Sequence, residues 1–142
     1  MAHKMRNKPT QTILLVDDHE RVLHALHNYF EKRGFNVVEA LDGEEALLIA
    51  ECYTGMIHVL VTDLVMARMN GRELARRLRP LRPEMQIIMM SGFPDEITAQ
   101  QDLTPQIPIL AKPFPPKRLL IAVEDVLASP RSERTVTSFA TV

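Results

Sequence analysis

Asp17 and Asp18 stand side by side in the stretch ILLVDDHE, immediately after four apolar residues. Each carboxylate raises the cost of ionising the other, so the pair needs either a partner or a structural use. A turn and helix cap would be one use; a divalent cation with oxygen ligands would be the partner. Asp63 ends another apolar run, HVLVTD, while Ser91 ends QIIMMS and Lys112 ends IPILAK. A carboxylate such as Asp63 can attack a phosphoryl group and hold it as an acyl phosphate, provided that its repulsion from the incoming oxygens is cancelled. A hard cation, an ammonium and a hydroxyl are groups that can cancel it. Taken singly, each residue also has an ordinary reading: Asp63 as the start of a turn before Gly71, Ser91 with Gly92 as loop chemistry, Lys112 as a solvated surface lysine. The phosphoryl chemistry requires that all of them meet.

The elements that must position them are short apolar runs alternating with amphipathic stretches. TILLVD (12 to 17), FNVVEA (35 to 40), HVLVTD (58 to 63), QIIMMS (86 to 91) and IPILAK (107 to 112) are largely aliphatic or β-branched, as parallel strands buried on both faces should be. From Glu20 to Arg33, Val22, Leu23, Leu26 and Phe30 recur at helical spacing, and Gly34 follows as a stop. In LDGEEALLIAECYTG, Asp42 can cap a helix, Glu44 and Glu45 suit its positive end, and Gly55 can close it. GRELARRLRPL places Leu74 and Leu78 on one face and arginines on the other until Pro80 and Pro83. PDEITAQQDLTPQ (94 to 106) is a short fourth candidate, poor in apolar residues and expected to be mobile. PPKRLLIAVEDVLA opens with prolines suited to a first turn and turns Leu119, Leu120, Val123 and Leu127 inward.

Strand and helix alternating in this way specify an α/β domain, a doubly wound sheet of five parallel strands covered on both faces. In such open sheets ligands bind outside the carboxyl ends of the strands. Asp17, Asp18, Asp63, Ser91 and Lys112 all fall at those ends. Three carboxylates, a hydroxyl and an ammonium therefore converge on one edge, where a cation would let Asp17 and Asp18 stay ionised together.

Composition bounds what the site can serve. With 142 residues, 46% of them apolar, the chain suits one domain with one sizeable core. Residues 11 to 128 carry the pattern, 1 to 10 are expected to be a disordered lead, and the serine- and threonine-rich SPRSERTVTSFATV (129 to 142) a disordered tail. A formal net charge of -1 provides no overall basic field for nucleic acid or anionic lipid. The lone Cys52 excludes an internal disulfide framework and suits a reducing compartment. No apolar run reaches membrane-spanning length, and MAHKMRNKPTQ is not followed by a hydrophobic segment. The expectation is a cytoplasmic protein.

The ordered set LLVDDHE, VLVTDLVMARMNG, IIMMSG and AKPF resembles the receiver domain of two-component response regulators over residues 11 to 128. MSGFPDE and PILAKPF look most like receivers attached to hybrid histidine kinases. The resemblance implies a flavodoxin-like sheet of order 2-1-3-4-5, which periodicity alone does not give. It implies that Asp63 is the phosphoacceptor, that Asp18 and Asp63 bind Mg²⁺ directly, that Asp17 acts mainly through water, and that the backbone carbonyl of Val65 completes the metal's protein ligands. Ser91 and Lys112 would meet the phosphoryl oxygens. A histidine kinase or phosphotransfer protein would be the donor, and a downstream protein would read the face of the fourth helix, fifth strand and fifth helix.

Three positions depart from the family pattern. Ala67 follows Met66 where proline is usual, which would leave that loop less rigid. Ile109 stands three before Lys112, where an aromatic residue usually answers the phosphate by changing rotamer. Val65 and Phe93, two residues past Asp63 and Ser91, are both apolar where water would approach the phosphoaspartate. Among the histidines, His24 and His27 lie three apart on the first helix and could serve a metal or a relay, but without a third ligand cluster they read as ordinary helix residues. His19 adjoins the acidic pair and is expected to line the site, His58 begins a strand, and Met85, Met89 and Met90 read as core filler.

Two other function classes stay open at this point. A haloacid dehalogenase-type phosphatase also combines a strand-end aspartate, Mg²⁺, a hydroxyl and a lysine, but needs Asp-x-Asp in one loop, which VDDHE does not offer. A receiver-like interaction module that is never phosphorylated is favoured by Ile109 and Ala67 and disfavoured by retention of all five site side chains.

Overall fold

The computed structural model describes residues 10 to 92 and 107 to 128. The candidate helix at 94 to 106, Phe93 and both expected disordered ends beyond residue 10 and residue 128 lie outside the described residues. The elements are β1 (Thr12–Val16), α1 (Glu20–Glu31), β2 (Asn36–Ala40), α2 (Gly43–Cys52), β3 (Val59–Asp63), α3 (Gly71–Leu78), β4 (Gln86–Ser91), β5 (Ile109–Ala111) and α4 (Pro116–Ala128). All strand pairs are parallel, and the sheet order is β2-β1-β3-β4-β5.

Alternation along each strand feeds two separate cores. Leu14, Val16 and Leu60 face the layer closed by α2 and α3, with Ala46, Ala50, Leu74 and Leu78. Ile13, Leu15, Val59 and Val61 face the other, closed by α1 and α4, with Leu23, Phe30, Leu119 and Val123. Central strands therefore need apolar residues at successive positions, and every residue of β1, β3 and β4 is buried. Strands β2 and β5 are the sheet edges and are only partly covered.

Local chemistry sets the helix ends. The side chain of Asp42 accepts from Glu45 N at 2.8 Å, capping α2, and Asn70 caps α3 through Glu73 N at the same distance. Helix α1 starts instead after His19, whose side chain makes no cap bond, so neither Asp17 nor Asp18 caps it. It ends at Glu31, two residues before Arg33, and Gly34 follows at φ +93°. The end of α2 is held by a residue far along the chain: the Arg82 guanidinium donates to the carbonyls of Ala50, Tyr53 and Gly55. On α4 the fully buried residues are Leu119, Val123 and Val126, while Leu120 and Leu127 lie half-buried at the margin of the same stripe. Among the described residues no helix is long and apolar enough to cross a membrane.

Candidate functional site

At the carboxyl edge of the sheet, β1 delivers Asp17 and β3 delivers Asp63 on adjacent strands. Just past the end of β1, Asp17 N still donates to Ala40 O of the neighbouring strand at 3.2 Å, and its side chain is fully buried, 0% exposed. The chain then turns, because Asp17 Oδ1 accepts from the backbone N–H of His19 at 2.9 Å. That turn leaves Asp18 outward, its side chain 41% exposed. Asp63 is buried at the end of β3.

Lys112 closes the group from the far side of the sheet. Its Nζ donates to Asp17 Oδ2 at 2.9 Å and lies 3.4 Å from Asp63 Oδ2. Its backbone N–H donates to Ser91 O at 2.7 Å, which ties the lysine to the hydroxyl-bearing residue of the neighbouring strand. Ser91 is buried and pairs with Ala111 across the register, one step beyond the Asp63–Met90 pair. The Lys112–Pro113 peptide is cis.

The electrostatics follow from this crowding. Burial, with repulsion from Asp17 and Asp18, pushes the Asp63 carboxyl above its ordinary range against the pull of Lys112. Burial draws Lys112 down, but its contacts with Asp17 and Asp63 outweigh that and hold it above the usual lysine value. One ligand atom from each of Asp17, Asp18, His19 and Asp63 falls within a set whose members lie within 4.8 Å of one another. A buried carboxylate pushed towards neutrality beside two others is a donor set that fits a hard divalent cation.

The loop after β3 completes the edge. Val65 sits there 40% exposed. Met66 and Met69 are buried in the α2–α3 core and anchor the loop on either side of exposed Ala67 and Arg68. Arg68 takes φ +71°, and its guanidinium reaches Asp42 at 3.4 Å. Ile109 packs half-buried against the same core.

The structure thus brings Asp17, Asp18 and Asp63 together with Lys112, with Ser91 on the same edge. His24 and His27 are not part of it. They face β2, where His27 Nδ1 lies 2.7 Å and His24 Nδ1 3.4 Å from Glu39 Oε2. One contributor was expected from its place in the chain and one was not legible as such. His19 lies against both aspartates, with Nδ1 3.0 Å from Asp17 Oδ1 and 3.1 Å from Asp18 Oδ1. Gly71 lies against the backbone of Asp63, and its only sequence signal was a glycine at a helix start.

Comparison with known proteins agrees with this geometry. A family model described as the response regulator receiver domain matches residues 13–124. The sensor kinase CckA of Brucella abortus (strain 2308) is 35% identical over 117 residues, covering 82% of this chain but 12% of the kinase. The response regulator receiver protein CpdR of the same organism is 31% identical over 118 residues, 81% of this chain and 95% of that protein. The solved receiver domain of the hybrid histidine kinase CckA superposes with a TM-score of 0.68 at 31% identity, covering 80% of this chain and 96% of that one.

Proposed function

The chain belongs to the response regulator receiver domain family, the signalling module of two-component systems with a flavodoxin-like fold, and from that premise we propose that Asp63 is its phosphoacceptor. The observation that carries this reading is Lys112 Nζ set 2.9 Å from Asp17 and 3.4 Å from Asp63 at the carboxyl edge of the sheet. A lysine held there is a fixed positive charge facing a buried carboxylate, which is what an incoming phosphoryl group requires.

The donor is a phosphohistidine on a histidine kinase or phosphotransfer protein. An Asp63 carboxylate oxygen attacks phosphorus, the P–N bond breaks, and the leaving imidazole keeps the bonding pair and takes a proton from solvent. Lys112 draws off charge on the phosphoryl oxygens as a point charge, and the Ser91 hydroxyl donates to one of them. Asp18 and Asp63, with the backbone carbonyl of Val65, are the residues that would hold Mg²⁺, and Asp17 would support the ion through water. When bound there, the ion would supply the remaining neutralisation of negative charge at the site. The domain catalyses its own phosphorylation and slow dephosphorylation and has no separate substrate.

Residues 11 to 128 form the receiver, acting in the cytoplasm. Output passes to a protein target through a face that includes β5 and α4, the fourth helix expected beside them lying outside the described residues, with no role for nucleic acid or membrane. Intact mass measurement after incubation with a small phosphodonor tests the core of the reading. One phosphoryl group should add only when Mg²⁺ is present, and Asp63→Asn should abolish the addition; equal labelling of that variant would remove Asp63 from its role.

A further inference from the structure

Asp18 and Asp63 offer only oxygen to a cation, but a nitrogen stands beside them. The hydrogen bond from His19 N–H to Asp17 Oδ1, 2.9 Å long, curls the chain into a tight turn and returns the His19 ring over the carboxylates. His19 occupies the N-cap position of α1 with an extended backbone and no side-chain cap bond, so its ring is not committed to the helix. Nδ1 lies 3.1 Å from Asp18 Oδ1 and belongs to the same close set of ligand atoms as Asp17, Asp18 and Asp63.

We propose that His19 is a nitrogen ligand of the divalent-cation site, and that it tilts the site from Mg²⁺ towards first-row transition ions. This rests on the reading that Asp18 and Asp63 hold the cation. The spacing suits it: two ligand atoms at right angles, each about 2.1 Å from a metal, stand about 3 Å apart, close to the separation of His19 Nδ1 from Asp18 Oδ1. An ion on Nδ1 would replace both the ring's contact with Asp18 and its 3.0 Å contact with Asp17 Oδ1, which keeps its bond from His19 N–H.

Asp17 is the less available donor. Its Oδ2 is taken by Lys112 and its Oδ1 by His19 N–H, so Asp18, His19 and Asp63 are the side chains left to face an ion directly. The His19 side chain is 68% exposed, so reorienting it disrupts no packing, and coordination positions towards solvent stay open for water or phosphate. Magnesium gains little from imidazole, whereas later first-row ions such as Co²⁺ and Ni²⁺ accept it readily.

The test is a set of separate Mg²⁺ and Co²⁺ titrations of the wild type, His19→Ala, His19→Gln and Asp18→Asn, followed by calorimetry and by the visible absorption of Co²⁺. Removing the imidazole should weaken Co²⁺ by at least about tenfold, since losing even an outer partner of a metal ligand costs 10–100-fold. It should also shift the Co²⁺ absorption bands and leave Mg²⁺ nearly unchanged. Equal loss of both ions in the two His19 variants would mean that the ring only shapes the turn, and unchanged Co²⁺ binding and spectrum would mean that it is a hydrogen-bond partner alone; either result overturns the proposal. Asp18→Asn reports on the underlying reading by itself: it should weaken both ions, and if it weakens neither, the cation does not bind at this edge.

Discussion

A β-carbon on Gly71 would stand 2.5 Å from the carbonyl oxygen of Asp63 and 3.1 Å from the α-carbon of Leu64. The first residue of α3 thus packs directly on the backbone that carries Asp63, the proposed phosphoacceptor, and its N–H donates to Leu64 O at 2.8 Å. Backbone cannot step aside as a side-chain tip can. Gly71→Ala should therefore lose about 1–3 kcal/mol through overpacking, partly offset by up to about 1 kcal/mol of better helix propensity, and should slow phosphorylation by moving Asp63. Gly43→Ala is the comparison, because the nearest atoms its new carbon would meet, from 2.8 Å, belong to the Met69 side chain instead of to backbone. Urea unfolding and phosphodonor labelling of both variants check this, and equal effects at the two glycines would refute it.

Lys112→Ala leaves the fully buried Asp17 without its cationic partner. Breaking a buried pair costs more than the pair contributed, because the remaining charge is stranded. Asp17 keeps its His19 N–H bond, so a loss of about 1–3 kcal/mol is expected. Added Mg²⁺ should recover part of it by supplying the missing positive charge. Thermal unfolding with and without Mg²⁺ should show a larger metal-dependent gain in the variant than in the wild type.

Lys112→Ala and Ser91→Ala should also separate phosphorylation from its conformational consequence, if, as proposed, both residues read the phosphoryl oxygens and neither attacks phosphorus. Mass labelling should persist at reduced rate, while the NMR shift changes that follow phosphodonor addition shrink in each variant. Shift changes identical to wild type in both would contradict the assigned role.

His58 gives the stability a pH dependence of known sign. Its Nδ1 accepts from Thr12 N–H at 2.9 Å, which needs the neutral ring, and burial lowers its pKa despite the pull of Glu84. The unfolded chain, with a histidine value of about 6.5, then binds the proton more readily than the folded one. The contribution is fully present above that value and is lost as pH falls through the folded pKa. His19 acts oppositely: its hydrogen bond to Asp17 raises its pKa, so its contribution is present below about 6.5 and lost as pH rises through its folded value. In a His19→Ala background the urea midpoint should fall between about pH 7.5 and pH 5.5, and adding His58→Leu should flatten that slope at a lower overall level.

The extent to which these features could be read from the chain depended on whether their cause was local. Strands lay within one or two residues of their apolar runs, because central strands buried on both faces carry no charged residue until their ends, as at Asp17 and Asp63. That also made the site legible, since a charge ending such a run must lie at the sheet's rim. Arg82 was not legible: it reads as one more surface arginine until the fold sets the carbonyls of Ala50, Tyr53 and Gly55 beside it. Glu39 was missed as the partner of His24 and His27 for the same reason, being brought across from β2. On α4, helical periodicity found the buried stripe but not its centre, which packing places on Val126 instead of Leu127.

Val65 bears on how long the phosphorylated state lasts. Hydrolysis of a phosphoaspartate needs a water in line with the scissile bond, opposite the Asp63 oxygen. Val65 lies two residues past Asp63 in the loop leading to α3 and is 40% exposed, so it is available at the rim and offers no hydrogen bond to orient that water. An apolar, branched side chain there shields the phosphoryl group instead. Val65→Asn should therefore shorten the lifetime at fixed Mg²⁺, by about tenfold if the amide positions water productively. Pairing it with Phe93→Glu should shorten it further, because a carboxylate can also take the proton from that water. Decay of the phosphorylated species is followed by intact mass after the donor is removed. A double variant that decays no faster than the wild type would show that water reaches phosphorus by a route these two side chains do not border.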